Sequence, residues 1–145
     1  MHLLPRIWNN SHIIKLTHQE VNFEDARGTI TDIFVNDPKQ HCTIIFTKKG
    51  GIRGNHYHKV SRQHDFIVSG SMEAYGQVVG ESTVTKTPLN PGDLAVWEPG
   101  EAHEFVALED TVFITFVDGL RGGEDFEKDT FRLEVPLHEL YTQAA

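Results

Sequence analysis

Two histidines, His56 and His58, stand one residue apart in the segment GGIRGNHYHKVSRQHDFIVSG, residues 50–70. On a strand, alternate side chains share a face, so both imidazoles point to one side and Tyr57 points to the other. Neutral imidazole is the commonest metal ligand and the usual acid or base near pH 7. Two of them converging on one spot predict a proton-transfer site or part of a coordination site. The chain has 9 histidines, but His2, His12, His18, His41 and His138 are scattered and read as surface or partner-satisfied groups.

The residues around the pair have countable spacing. Gly50, His56, His58, Gln63 and Gly70 form G-x5-H-x-H-x4-Q-x6-G. This resembles the first cupin motif, which has Glu where this chain has Gln63. Residues 92–103, GDLAVWEPGEAH, resemble the second cupin motif, with Pro99-Gly100 one residue tighter. The resemblance implies that His103 joins the pair, and that His56, His58, Gln63 and His103 could ligate one divalent ion. Three imidazoles and an oxygen suit Zn, Fe, Mn or Ni. Gln63 is a weaker, neutral ligand than Glu, so affinity should fall. His64 is a fallback ligand, but alternation puts it on the face opposite Gln63.

The run Arg53-Gly54-Asn55-His56-Tyr57-His58 narrows the resemblance. It is similar to segments in three groups of cupins that modify nucleotide-linked sugars: dTDP-4-keto-6-deoxyglucose 3,4-ketoisomerases, dTDP-4-dehydrorhamnose 3,5-epimerases, and the cupin domain of capsular-polysaccharide reductases, which is metal-binding. An upstream Asp25-Ala26-Arg27-Gly28 matches a further segment of these groups. The resemblance spans roughly residues 25–117 and implies an isomerase or epimerase of polysaccharide or deoxysugar biosynthesis. A 4-keto sugar has acidic protons beside its carbonyl. Moving the carbonyl, or inverting a neighbouring centre, requires a base, an acid and stabilisation of an enediol-like intermediate. By resemblance His56 is the base and His58 its partner or the acid. Arg53 and Arg27 would pair with the pyrophosphate through their forked donors. Tyr57, Tyr75 or Trp97 would stack on the base or sugar. Trp97, among Leu94, Ala95 and Val96, also reads as core, and Arg27 also reads as a plain Arg-Gly turn. The tyrosine acid of the epimerases has no assignable position. The reaction requires either no cofactor or one divalent metal at the histidine cluster. Two other classes stay open: a metal-dependent cupin enzyme on another small molecule, such as a dioxygenase, and a non-catalytic cupin that binds a small ligand.

These residues must be positioned by a β-scaffold. The 145 residues suit one domain, with a strand at 12–17, a barrel over about 25–118 and a C-terminal extension at 119–145. Short β-rich runs at 29–35, 41–48, 64–69, 72–79, 82–87, 94–97, 103–108 and 111–117 alternate with turn signals such as Gly70-Ser71 and Pro99-Gly100. The expected class is all-β: a cupin jelly roll, or double-stranded β-helix. Residues 131–135 predict one more strand, and residues 136–141 a short helix opening at a proline. Glu101 and Glu104 read as solvated rim, and Gly122-Gly123 as a surface loop or a lid hinge.

Composition excludes other functions. The formal net charge is −8, from 13 basic and 21 acidic residues, and no basic run occurs. Nucleic acid is therefore not the expected partner. No apolar run is long enough for a membrane span. No secretory leader is read at the N-terminus. The single cysteine, Cys42, forms no intrachain disulfide and is expected to be a buried, inert thiol. A cytoplasmic location fits. Edge-strand pairing predicts a homodimer.

Overall fold

A computed structural model describes residues 15–119 and 128–141. In chain order the strands are β1 (Lys15–His18), β2 (Phe23–Asp25), β3 (Gly28–Ile30), β4 (His41–Thr47), β5 (Ile52–Tyr57), β6 (Arg62–Ser69), β7 (Met72–Val78), β8 (Thr85–Leu89), β9 (Asp93–Trp97), β10 (Glu101–Ala107), β11 (Thr111–Asp118) and β12 (Phe131–Arg132). A one-turn helix, α1 (Leu137–Leu140), begins after Pro136.

Two antiparallel five-stranded sheets form a jelly roll. One runs β1-β9-β6-β11-β4 and the other β12-β5-β10-β7-β8. Alternation decides which side chains enter the space between them. Along β11, Phe113, Thr115 and Val117 are buried. Their β6 partners Ile67, Asp65 and Gln63 are buried too. Directly paired residues share a face, so these six point inward together. The apolar core is Leu16, Ile67, Met72, Ala74, Leu89, Ala95, Trp97, Phe105, Ala107 and Phe113. Each large side chain here stabilises the fold by about 1.5–3 kcal/mol relative to exposure. The β6–β7 turn needs glycine: Gly70 has φ +86°, and an added Cβ would strike Asp110 O and Thr111.

Several expectations change. Residues 31–35 are not a strand. After β3 pairs with β2 the chain leaves the ladder, and Phe34 packs edge-on against His64 and Phe116 on the outer face of the first sheet. Pro88 lies within β8, not in a loop. It is tolerated because β8 is a sheet edge and no outer neighbour needs its missing N–H. Cys42 is exposed, not buried. On the edge strand β4, Thr43, Ile45 and Thr47 take the inner face. Cys42, Ile44 and Phe46 are left outside. Residues 12–14 of the expected first strand, and Gly122-Gly123, lie outside the described residues.

Candidate functional site

The site is built across β5 and β10. Their pairing sets Phe105 opposite Arg53, Glu104 opposite Gly54, and His103 opposite His56, leaving Asn55 as an extra residue. Gly54 and Asn55 both have positive φ, 82° and 63°. This is a β-bulge. In a regular strand, residues 53 and 56 would face opposite ways. The extra residue shifts the phase, so Arg53 and His56 line one cavity. Gly54 has a second constraint, because a Cβ there would sit 2.8 Å from His103 O. Asn55 turns outward. Its Oδ1 accepts from Leu137 N at 3.0 Å, and its Nδ2 lies 3.4 Å from both Leu133 O and Val135 O. One bulge thus aims Arg53 and His56 into the cavity and anchors the C-terminal segment outside.

His56, His58 and His103 converge. Their ring centroids are 4.8–5.3 Å apart, and one nitrogen from each lies within 4.8 Å of the others. His58 Nδ1 lies 2.7 Å from Asp129 O, and its Nε2 lies 3.1 Å from Gln63 Oε1. His103 Nδ1 lies 3.2 Å from Glu101 O, while its ring packs on Trp97 at 4.9 Å between centroids. The cavity measures about 260 Å³ and is lined by Thr43, Ile45, Arg53, Gly54, His56, Gln63, His103, Phe105, Phe113 and Thr115. That is room for one sugar ring, not for a whole nucleotide. His58, 5% exposed, sits behind this lining.

A strap from the C-terminal segment closes the cluster from behind. Asp129 is buried, and its carboxylate accepts the backbone N–H groups of Lys59 (2.8 Å), Val60 (3.2 Å) and Ser61 (2.7 Å). Burial alone would raise its pKa. The Ser61 side chain and the three backbone donors outweigh that and hold it below the usual carboxylate value. The same residue's carbonyl meets His58, so the strap fixes both the loop after β5 and the imidazole it carries.

No family model matches the chain. A curated relative, an oxalate decarboxylase of Arthroderma benhamiae, is 33% identical over 107 residues, covering 70% of this chain and 24% of the relative. The chain thus spans about a quarter of that protein's length. A dTDP-6-deoxy-D-glucose-3,5-epimerase of Legionella pneumophila, solved with dTDP-4-keto-L-rhamnose, superposes with TM-score 0.73 over 90% of this chain and 77% of its own, at 15% identity. A 3,4-ketoisomerase of Helicobacter canadensis superposes with TM-score 0.71 over 88% and 93%, at 18% identity. The chain has the cupin fold.

The bulge on β5, the loop after it, β6 of the first sheet and β10 of the second bring together Arg53, His56, His58, Gln63 and His103, five of the residues expected from the sequence. Other expected contacts are elsewhere. Tyr57 and Tyr75 lie on the outer face of the second sheet. There they cluster with Ala102 and Leu137, against Leu133 and Tyr141 from the C-terminal segment. Alternation from His56 and from Gly76, the partner of His103, puts them there. Burial, then Glu73, pushes the Tyr75 phenol up to about 12, and its O–H donates to Glu73 at 2.9 Å. Trp97 is 1% exposed and supports His103 from the core. Arg27 sits in the exposed β2–β3 turn, where it pairs with Asp25 at 2.6 Å. Glu104 is not rim: it is 1% exposed, and its Oε1 accepts from the His138 backbone N (2.9 Å) and Nδ1 (2.7 Å). His64 faces outward, as alternation requires.

The donor set fits a divalent metal. A ligating histidine ordinarily donates its other N–H to a carbonyl or carboxylate, which leaves the facing nitrogen as the ligand. His58 with Asp129 O, and His103 with Glu101 O, have that arrangement. The 3.1 Å between His58 Nε2 and Gln63 Oε1 suits two atoms sharing one small ion. Asp65, Asp129 and Glu104 were not singled out from the sequence as site or support residues. Asp65 had a signal, since a charged residue two positions from Gln63 must share its inward face. Asp129 and Glu104 act through contacts distant in sequence, which no local pattern carries.

Proposed function

We propose that this cupin is an isomerase or epimerase acting on a nucleotide-linked 4-keto sugar. The observation that carries the reading is the bulge, which sets a guanidinium and an imidazole on one wall of a cavity sized for a single sugar ring. His56 removes a proton from the carbon beside the carbonyl, and the electron pair moves to the carbonyl oxygen. Return of a proton to the other face completes epimerisation. For ketone transfer the proton returns to the former carbonyl carbon, while the hydroxyl on the deprotonated carbon gives up its proton and the former carbonyl oxygen takes one. Among the described residues lining the cavity there is no tyrosine, so the proton is returned from the histidine cluster. Arg53 is already held at two points, by Nε on Thr47 Oγ1 (3.1 Å) and an Nη on Phe46 O (3.0 Å). This leaves it preorganised to meet the pyrophosphate at the mouth. The superposing epimerase and ketoisomerase support the substrate class.

A homodimer belongs to this reading. The β2–β3 hairpin stands exposed, with Phe23 at 50% and Ile30 at 58%, and an isolated two-stranded hairpin is marginal in water. Ile44 and Phe46 are also exposed, on the edge strand β4. A cytoplasmic site of action is proposed with it. No described helix is long and apolar enough to cross a membrane.

The test is solvent deuterium exchange into dTDP-4-keto-6-deoxyglucose, followed by mass spectrometry and NMR. Wild-type protein should label the carbon beside the ketone, and His56→Ala should not. Absence of label with each dTDP-4-keto sugar offered would remove the proposal.

The three-imidazole cluster with Gln63 favours a second reading, a metal-dependent cupin enzyme. A bound metal would polarise a carbonyl or carboxylate of the substrate. Elemental mass spectrometry on tag-free protein purified without chelator separates the two readings. Near-stoichiometric metal, lost in His56→Ala His58→Ala, would replace the free-imidazole account.

A further inference from the structure

Directly behind Gln63 lies a carboxylate that the proposed reaction does not use. Asp65 is fully buried between the sheets. It accepts the Thr115 hydroxyl at 2.6 Å, the Trp97 indole N–H at 3.0 Å, and the Gln63 side-chain amide at 3.0 and 3.2 Å. An indole N–H can only donate, and an ionised carboxylate can only accept. The amide end that faces Asp65 must therefore be the NH2. The other end, the carbonyl oxygen, is left pointing at His58 Nε2, 3.1 Å away. Which way a glutamine points is decided by its network, and here an ionised Asp65 decides it.

We propose that Asp65 is a positioning residue of this site: by fixing the Gln63 amide, it keeps a hydrogen-bond acceptor facing the histidine cluster. The charge that the first cupin motif places at position 63 is kept, two residues further along the same face of β6. The cavity wall then carries no carboxylate, and that of Asp65 lies one layer behind it. Asp129 O holds the other nitrogen of His58, so the imidazole lies between two carbonyl oxygens.

The substitution Asp65→Asn tests this without changing shape. The new side-chain amide would give its carbonyl to the Trp97 indole N–H at the Oδ2 position and turn its NH2, at the Oδ1 position, toward Thr115 Oγ1 and Gln63. That NH2 repels the Gln63 NH2 beside it, and a flip of Gln63 that presents NH2 to His58 relieves the repulsion. Adding Gln63→Glu restores an acceptor at His58, because the introduced carboxylate accepts from the amide at position 65 with one oxygen and faces His58 with the other. The direct readout is NMR on chelator-treated protein. In the wild type the Gln63 amide protons should show cross-peaks to the Trp97 indole proton and none to the His58 ring. In Asp65→Asn the pattern should reverse. The activity arm rests on the isomerase reading: kcat on the nucleotide sugar should fall at least about tenfold in Asp65→Asn, with KM within about twofold. The double variant should recover most of that loss. Wild-type cross-peaks from the Gln63 amide to His58 would overturn the proposal, whether or not the variants fold. So would a lack of recovery in a folded double variant. If the wild type turns over no nucleotide sugar, the reaction is wrong, and the NMR arm still decides the role of Asp65.

Discussion

Mild acid should weaken the protein through a group on the face of the sheet opposite its cavity. His64 is 3% exposed on the outer face of the first sheet, edge-on to Phe34, and its Nδ1 is buried without a hydrogen-bond partner. Burial, then the nearby charges of Lys39 and Arg62, lowers its pKa from 6.5 to about 4, against the opposing pull of Asp118 and Asp37. The unfolded chain binds a proton below about pH 6.5, while the folded chain resists it until about pH 4. Over that interval the unfolded state holds more protons, so stability falls as pH falls. At about 1.4 kcal/mol per unit of difference, the loss is about 2 kcal/mol between pH 7 and pH 5, and about 3 kcal/mol by pH 4. In melting temperature the first step is roughly 6–8 °C. The measurement is thermal and urea unfolding of wild type and His64→Phe at pH 7, 6 and 5, above the range where carboxylates dominate. The phenylalanine keeps a ring against Phe34 and removes the titrating nitrogens. Its stability should lie close to or above wild type at pH 7, and should decline between pH 7 and 5 by about 2 kcal/mol less. Equal declines in the two proteins would refute the reasoning and show that His64 takes up its proton without cost.

Removing the Asp129 carboxylate with Asp129→Ala should cost about 2–3 kcal/mol, because three backbone donors lose their acceptor, and kcat should fall as His58 loosens. The part of that stability owed to the lowered pKa is present at neutral pH and disappears as pH drops through the folded-state value, so the variant should be less acid-sensitive below about pH 4. Asn55→Gly keeps the left-handed bulge but loses the side-chain anchors. Limited proteolysis should then cut residues 128–141 faster, whereas Asn55→Val should also lose at least about 1 kcal/mol from strain at φ 63°. Arg53→Lys replaces a forked donor with a point charge. Steady-state kinetics should show KM raised about tenfold and kcat changed much less. Cys42 should react with a chromogenic disulfide in the native protein at close to the rate in urea, and a protected thiol would contradict its exposed position on β4.

The scaffold was legible because alternation and turns are local. The β-runs at 41–48, 64–69, 72–79 and 111–117 became β4, β6, β7 and β11 with small shifts at their ends. The convergence of the His pair, Gln63 and His103 was expected from the resemblance to two cupin motifs, and the structure brings these side chains together. What failed has physical causes. Cys42 lies in an apolar run on an edge strand, and apolarity alone does not say which residues of an edge face the core. Thr31, Ile33 and Val35 are β-branched, but strand formation requires a partner, and Phe34 instead packs over His64. Arg53 and His56 are three apart, an odd spacing that alternation would send to opposite faces. Only the bulge at Gly54-Asn55 reconciles them, and its sequence sign is no more than a glycine followed by an asparagine. Tyr57 and Tyr75 obey alternation and so belong to the outer face, where the C-terminal segment supplies the cover.

That cover has a consequence for how the protein is made. The histidines arise at positions 56, 58 and 103, yet the acceptor that holds His58 Nδ1 is at residue 129, and the bulge is tied to residues 133–137. Both sheets can pair, apart from the two residues of β12, from residues that all precede the strap. A chain that has folded only that far carries a jelly roll with an unfinished histidine cluster. Function should therefore emerge as a separate, later step than the fold, and a chain truncated after residue 119 should be compact but inert.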